Sequence, residues 1–143
     1  MEYVYDDGGR KEAGFRGGAD DCVCRSISIA TGASYLDVYK SLNEFAQREE
    51  SNKGRKLRSS ARMGFHPKTT RAYMSSIGWE WVPTMKVGQG CKVHLRQDEL
   101  PAGRLVVRLS KHLTAVIDGV IHDTHDPSRE GNRCVYGYYR GRS

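Results

Sequence analysis

Cys22, His112 and Asp123 are the residues of this chain whose types and order could carry covalent chemistry. A thiol attacks a carbonyl carbon only as thiolate, a form that the unpaired N–H groups at the start of a helix favour. An imidazole beside it takes the thiol proton and later gives it to the leaving group, while a carboxylate on the other ring nitrogen fixes the tautomer. Cysteine first, histidine far downstream and an acid soon after it on the next strand therefore predicts acyl transfer to Cys22, with the Cys22 backbone N–H offered to the oxyanion.

Each of these residues needs an element to hold it. Asp21 is an N-cap residue type, and Val23, Ile27 and Ala30 recur at helical spacing before Gly32. The pattern predicts a helix over Cys22–Thr31 with Cys22 in its first turn. Asp118-Gly119 lies between two apolar runs, Leu113–Ile117 and Val120–Thr124, and is a strong two-residue hairpin signal. Such a turn pairs Ile117 with Val120, Val116 with Ile121, Thr114 with Asp123 and His112 with His125. His112, Thr114, Val116, Ile121, Asp123 and His125 then share one face, and His122 points to the other. Asp123 becomes the diagonal neighbour of His112. His125, directly opposite His112, leaves a second pairing open.

Around this pair of elements the chain changes period once. Ser34 precedes a second helix carrying Tyr35, Val38, Tyr39, Leu42, Phe45 and Ala46 up to about Arg48, and Pro67 opens a third that runs to about Ile77 before Gly78. Alternating strands follow at Trp79–Val82, Arg104–Leu109, the two hairpin arms and Val135–Tyr139. Helices first and strands second predicts an α+β molecule with N-terminal helices packed on a C-terminal antiparallel sheet. Residues 1–20 read as a Gly-rich, charged lead-in, and 49–66 as a basic loop.

The chain has 143 residues, 38% hydrophobic and 28% charged, with 23 basic against 17 acidic side chains and a formal charge of +6. That length buries roughly two-thirds of the unfolded surface, enough for one ordinary core over 1–143 without staples or metal. No apolar run approaches the ~18 residues that span a bilayer, and the opening Met1-Glu2-Tyr3-Val4-Tyr5-Asp6-Asp7 is unlike a secretory signal. No membrane contact is expected and the cytoplasm is the expected compartment. Cys22, Cys24, Cys91 and Cys134 are too sparse for a disulfide framework and read as free thiols.

The stretch Asp21-Cys22-Val23-Cys24-Arg25-Ser26-Ile27, with Ser110-Lys111-His112-Leu113-Thr114-Ala115-Val116-Ile117-Asp118-Gly119 and Asp123-Thr124, resembles the papain-like cysteine peptidase superfamily. In plan it is similar to the compact bacteriocin-leader peptidases and to small proteins of tailed-phage and prophage genomes. The resemblance covers most of the chain from Phe15 to Tyr139. It implies a papain-like fold, a Cys22–His112–Asp123 triad, no cofactor, and a peptide or protein substrate cleaved through an acyl-enzyme, in the host cytoplasm for a phage product. Asp126, before Pro127, is the rival acid, because an Asp-Pro pair closes the same strand in the bacteriocin-leader group. The family's Gln five or six residues before the cysteine is replaced by Arg16 and Gly17, and Asp20 and Asp21 place negative charge beside the thiol.

Other features carry less chemistry. Cys91-Lys92-Val93-His94 has the spacing of half a zinc site that His122, His125 and Cys134 could complete, but no second close cysteine pair exists and no metal is expected. Cys24 and Cys134 read as core thiols, Trp79 and Trp81 as core or cleft lining, and His66 and His94 as surface residues. Lys53, Arg55, Lys56, Arg58 and Arg62 form a basic stretch beside Phe65 and Tyr73 that could bind phosphates or an acidic protein. The alternative function is therefore a non-catalytic papain-like module that engages nucleic acid or a host protein weakly through this surface. Gly8-Gly9 and Gly17-Gly18 lack the strand and helix of a phosphate loop.

Overall fold

The computed structural model describes residues 1–14, 21–53, 67–86 and 88–141, with the side chains of 49–53 excepted. Within them α1 spans Cys22–Thr31, the bounds that its periodicity predicts. Val23, Cys24, Ile27 and Ala30 are its buried stripe, and Gly32, at φ 78°, ends it by donating its N–H to Ser28 O at 3.0 Å. Asp21 occupies the N-cap position, but its side chain makes no cap hydrogen bond. In α2 (Tyr35–Lys53) the Ser34 hydroxyl accepts the Asp37 N–H at 3.1 Å, an ordinary N-cap. This helix runs past Arg48 to Lys53, so the basic loop begins later than its composition suggests. α3 spans Pro67–Ser76.

Six strands follow from the period-2 segments and one more: β1 Glu2–Tyr5, β2 Trp79–Pro83, β3 Arg104–Leu109, β4 His112–Ile117, β5 Val120–Asp123 and β6 Gly137–Gly141. They form one sheet in the order β1-β5-β4-β3-β6-β2. All neighbours are antiparallel except β1, which runs parallel to β5 with Tyr5 against Asp123. The sheet is therefore mixed, and the first residues of the expected lead-in are its edge strand. β6 also starts two residues later than expected, because Val135 instead donates its N–H to Val93 O at 2.8 Å and Cys134 bridges to His94. Gly137 then passes under an indole: a Cβ there would lie 2.4 Å from the Trp81 ring.

Both faces of the sheet are covered. On one, α1 to α3 pack Ile27, Val38, Leu42, Tyr73 and Met74 against Val106, Leu113, Ala115 and Tyr139. On the other, the irregular connections lay Leu95, Leu100 and Val135 over Leu105, Val107, Leu109, Val116 and Ile121. Each fully buried aliphatic side chain contributes about 1.5–3 kcal/mol of transfer free energy, so these two layers carry the hydrophobic stability of the described chain. A disulfide joins Cys91 to Cys134, with Cα atoms 5.9 Å apart, correcting the expectation that these are free thiols. The reason is local: the single His94–Cys134 bridge brings two otherwise unladdered segments side by side. The same bond removes both sulfurs from any zinc site. No described helix is long and apolar enough to cross a membrane.

Candidate functional site

The Asp118-Gly119 turn has both residues at positive φ, 48° and 81°, the backbone that a two-residue hairpin requires. The predicted register follows, with Ile117 on Val120, Val116 on Ile121 and Ala115 on His122. Beyond Ala115 and His122 the β4–β5 ladder stops, and the side chains at this end of the sheet meet the first turn of α1. There His112 Nε2 lies 2.7 Å from Asp123 Oδ2. The other Asp123 oxygen accepts the Thr124 N–H at 2.7 Å. His125 lies beside His112, with ring centroids 4.9 Å apart and the rings tilted by 48°, and stays largely exposed. Asp126 is spent locally, its Oδ1 accepting the Ser128 N–H at 2.9 Å in an Asx turn, so the acid at the imidazole is Asp123.

Burial would hold the His112 imidazolium down, but the hydrogen bond to Asp123, the interaction with the Cys22 sulfur and both their negative charges outweigh it and raise its pKa to about 9. Asp123 shows the complementary balance: burial raises its carboxyl, and the hydrogen bond and charge of His112 bring it below the ordinary value. With Nε2 committed to Asp123, Nδ1 is the ring nitrogen left for the thiol. Cys24, two residues on, is different in kind. It is fully buried, its Sγ faces Tyr35 O at 3.6 Å, and desolvation first and the Asp21 charge second push its thiol up to about 12.

The aspartate beside Cys22 is held in ion pairs. Asp21, 1% exposed, pairs with Arg10 Nε at 2.9 Å, with Arg25 Nη1, and accepts the Tyr35 hydroxyl at 2.6 Å. Arg25 reaches onward to Asp123 Oδ1 at 3.8 Å. One guanidinium, a single helical turn after Cys22, thus ties Asp21 to Asp123, the acid at the His112 ring. Sequence reasoning missed Arg10, Arg25 and Tyr35. The i,i+4 spacing of Asp21 and Arg25 was the available signal.

A cleft of about 370 Å³ opens beside Cys22, between the first turns of α1 and α3 and the β3–β4 turn. His112, Arg108, Lys111, Thr70 and Tyr139 line it. Of the expected anion-binding residues, Lys53 ends α2, and Arg55, Lys56, Arg58 and Arg62 lie outside the described residues, as do Arg16, Gly17 and Asp20. His122 faces away from His112 and lies 3.7 Å from Asp6, while His94 pairs with Glu99 at 3.2 Å. Trp79 and Trp81 are half-buried against the helical core. Among the described residues, only His112, Asp123 and His125 gather ligand atoms within 4.8 Å of one another, as holding a metal ion would need.

No protein-family model, curated protein or solved structure matches the chain.

Proposed function

We propose that the chain is a cysteine peptidase or amide hydrolase of papain-like plan, working through Cys22, His112 and Asp123. The observation that carries this reading is the His112 ring, bound by Asp123 at Nε2 and raised to a pKa of about 9 with Cys22 among the causes. Under this reading the reacting pair is a Cys22 thiolate beside a His112 imidazolium, formed as the thiol gives its proton to the ring. The thiolate sulfur bonds to the substrate carbonyl carbon, and the displaced electron pair moves to the oxygen, which faces the N–H groups of the α1 start. Collapse of that intermediate breaks the C–N bond as His112 gives its proton to the leaving amine. Water then attacks the thioester, its proton passing to His112, and the acid departs as the thiolate is restored. Asp123 stays ionised throughout and holds the ring.

Brief alkylation near pH 6 by limiting iodoacetamide, read by peptide mapping, tests the reading, since an ordinary thiol is mostly protonated there. Cys22 is expected to react far faster than glutathione, and His112→Ala to remove the advantage. A Cys22 no faster than glutathione overturns it. The alternative, a binding module for nucleic acid or an acidic protein, draws support from Arg16 and Gly17 standing where the family has Gln. A salt-dependent gel shift with generic DNA or RNA, together with an inert Cys22, would put it first.

A further inference from the structure

The cleft beside Cys22 is one-sided in charge. Arg108 and Lys111 line it, His112 closes it, and among the described residues no acidic side chain does. Among the described residues, neither Arg108 nor Lys111 takes part in an ion pair, whereas Arg10 and Arg25, which serve Asp21, both do. Thr70 lines the same cleft from the first turn of α3; it is 2% exposed, and its hydroxyl has no hydrogen-bond partner among the described residues. A buried hydroxyl left unsatisfied at the start of a helix, in one cleft with two cations that make no ion pair, is an arrangement in want of an acceptor.

The backbone adds a further sign. Lys111 is the second residue of the β3–β4 turn and has φ 56°, a conformation that favours glycine or asparagine. A lysine there keeps local strain in order to place an ammonium directly before His112. Arg108 precedes the turn on β3, level with Leu113 across the ladder.

We propose that this cleft is a carboxylate subsite, in which Arg108, Lys111 and the Thr70 hydroxyl receive an acidic group of the substrate next to the bond presented to Cys22. The proposal rests on Cys22 being the nucleophile. It narrows the substrate class to peptides or amides bearing a carboxylate close to the scissile bond, either an Asp or Glu side chain or a free C-terminus. The guanidinium takes the carboxylate through paired N–H donors, the ammonium adds a point charge, and the threonine hydroxyl donates to an oxygen. A lysine or arginine side chain in the same place would meet like charge on three sides, so basic substrates are rejected.

Two alkylating reagents of similar size, one anionic and one neutral, separate this proposal from the reading beneath it. Iodoacetate and iodoacetamide are each applied in limiting amount to the intact chain, with glutathione as reference, and labelling of Cys22 is read by mass mapping. The iodoacetate-to-iodoacetamide rate ratio at Cys22 is expected to exceed that of glutathione by about tenfold, the scale of one or two local charges at partial burial. The double variant Arg108→Gln, Lys111→Gln is expected to lose most of that excess. Lys111→Gln alone, on an exposed turn, lowers it in part and serves if the double variant does not fold.

A reactive Cys22 with the ratio of glutathione overturns the subsite and leaves the nucleophile standing. An excess that survives the double variant also overturns it, assigning the preference to His112. A Cys22 inert to both reagents overturns the catalytic reading, and the subsite with it. The source of the carboxylate is read from protection against iodoacetamide by N-acetyl-glutamate α-amide and by N-acetyl-alanine. Protection by the first assigns an acidic side chain, protection by the second a C-terminus, and protection by neither overturns the proposal.

Discussion

His112 is the side chain through which the proposed chemistry and the pH behaviour of this molecule are joined. Its folded pKa of about 9 exceeds the unfolded value of about 6.5, so the fold holds the proton more tightly than the unfolded chain does. The resulting stabilisation is complete below about pH 6.5 and is lost as pH rises through about 9. Urea midpoints measured across that range are expected to fall in the parent chain and to fall less in His112→Gln. If the proposed hydrolase reading holds, turnover is expected to decline through the same upper limb, because the imidazolium that would protonate the leaving amine disappears. Asp123→Asn keeps the shape of the acid but removes the charge that orients the ring, and should lower kcat by about 10²–10⁴-fold. Arg25 belongs to the same scale. Arg25→Met leaves Asp21 buried with one fewer partner and withdraws a cation from Asp123. Breaking a buried pair of this kind costs about 3–5 kcal/mol, measurable as a lower midpoint in chemical unfolding.

At the scale of elements, the site is a helix start brought against the frayed end of a hairpin. The first turn of α1 was legible because Val23, Ile27, Ala30 and Gly32 announce it. The β4–β5 register was legible because Asp-Gly admits few turns and side-chain parity then follows without further information. His112 and Asp123 could be placed together from that parity alone, whereas the choice between His125 and Asp123 needed three dimensions. β1 was not legible. Four residues of alternating type carry little signal, and a parallel partner more than a hundred residues away leaves none in the local sequence. The Cys91–Cys134 bond was hidden for a related reason: proximity came from one isolated bridge between irregular segments. Among the strands, β6 has the least freedom to vary. Gly137→Ala would drive a methyl into the Trp81 ring and toward Val82 O, and overpacking of this kind is expected to cost about 1–3 kcal/mol or more, read as a drop in thermal midpoint.

Considered whole, the molecule is a sheet with an apolar layer on each side, helices over one and stapled connections over the other. The disulfide joins cysteines 43 positions apart in sequence, for which chain entropy predicts about 4 kcal/mol of stabilisation. Reduction with a mild thiol is therefore expected to lower the unfolding midpoint substantially. Labelling of Cys22 under native conditions is expected to change little, since α1 rests on the opposite layer. A large loss of Cys22 reactivity on reduction would contradict that separation. The sheet then works as a bulkhead. Damage, redesign or drift in the connection between β2 and β3 stays in its own compartment, and the compartment with Cys22 keeps its trim.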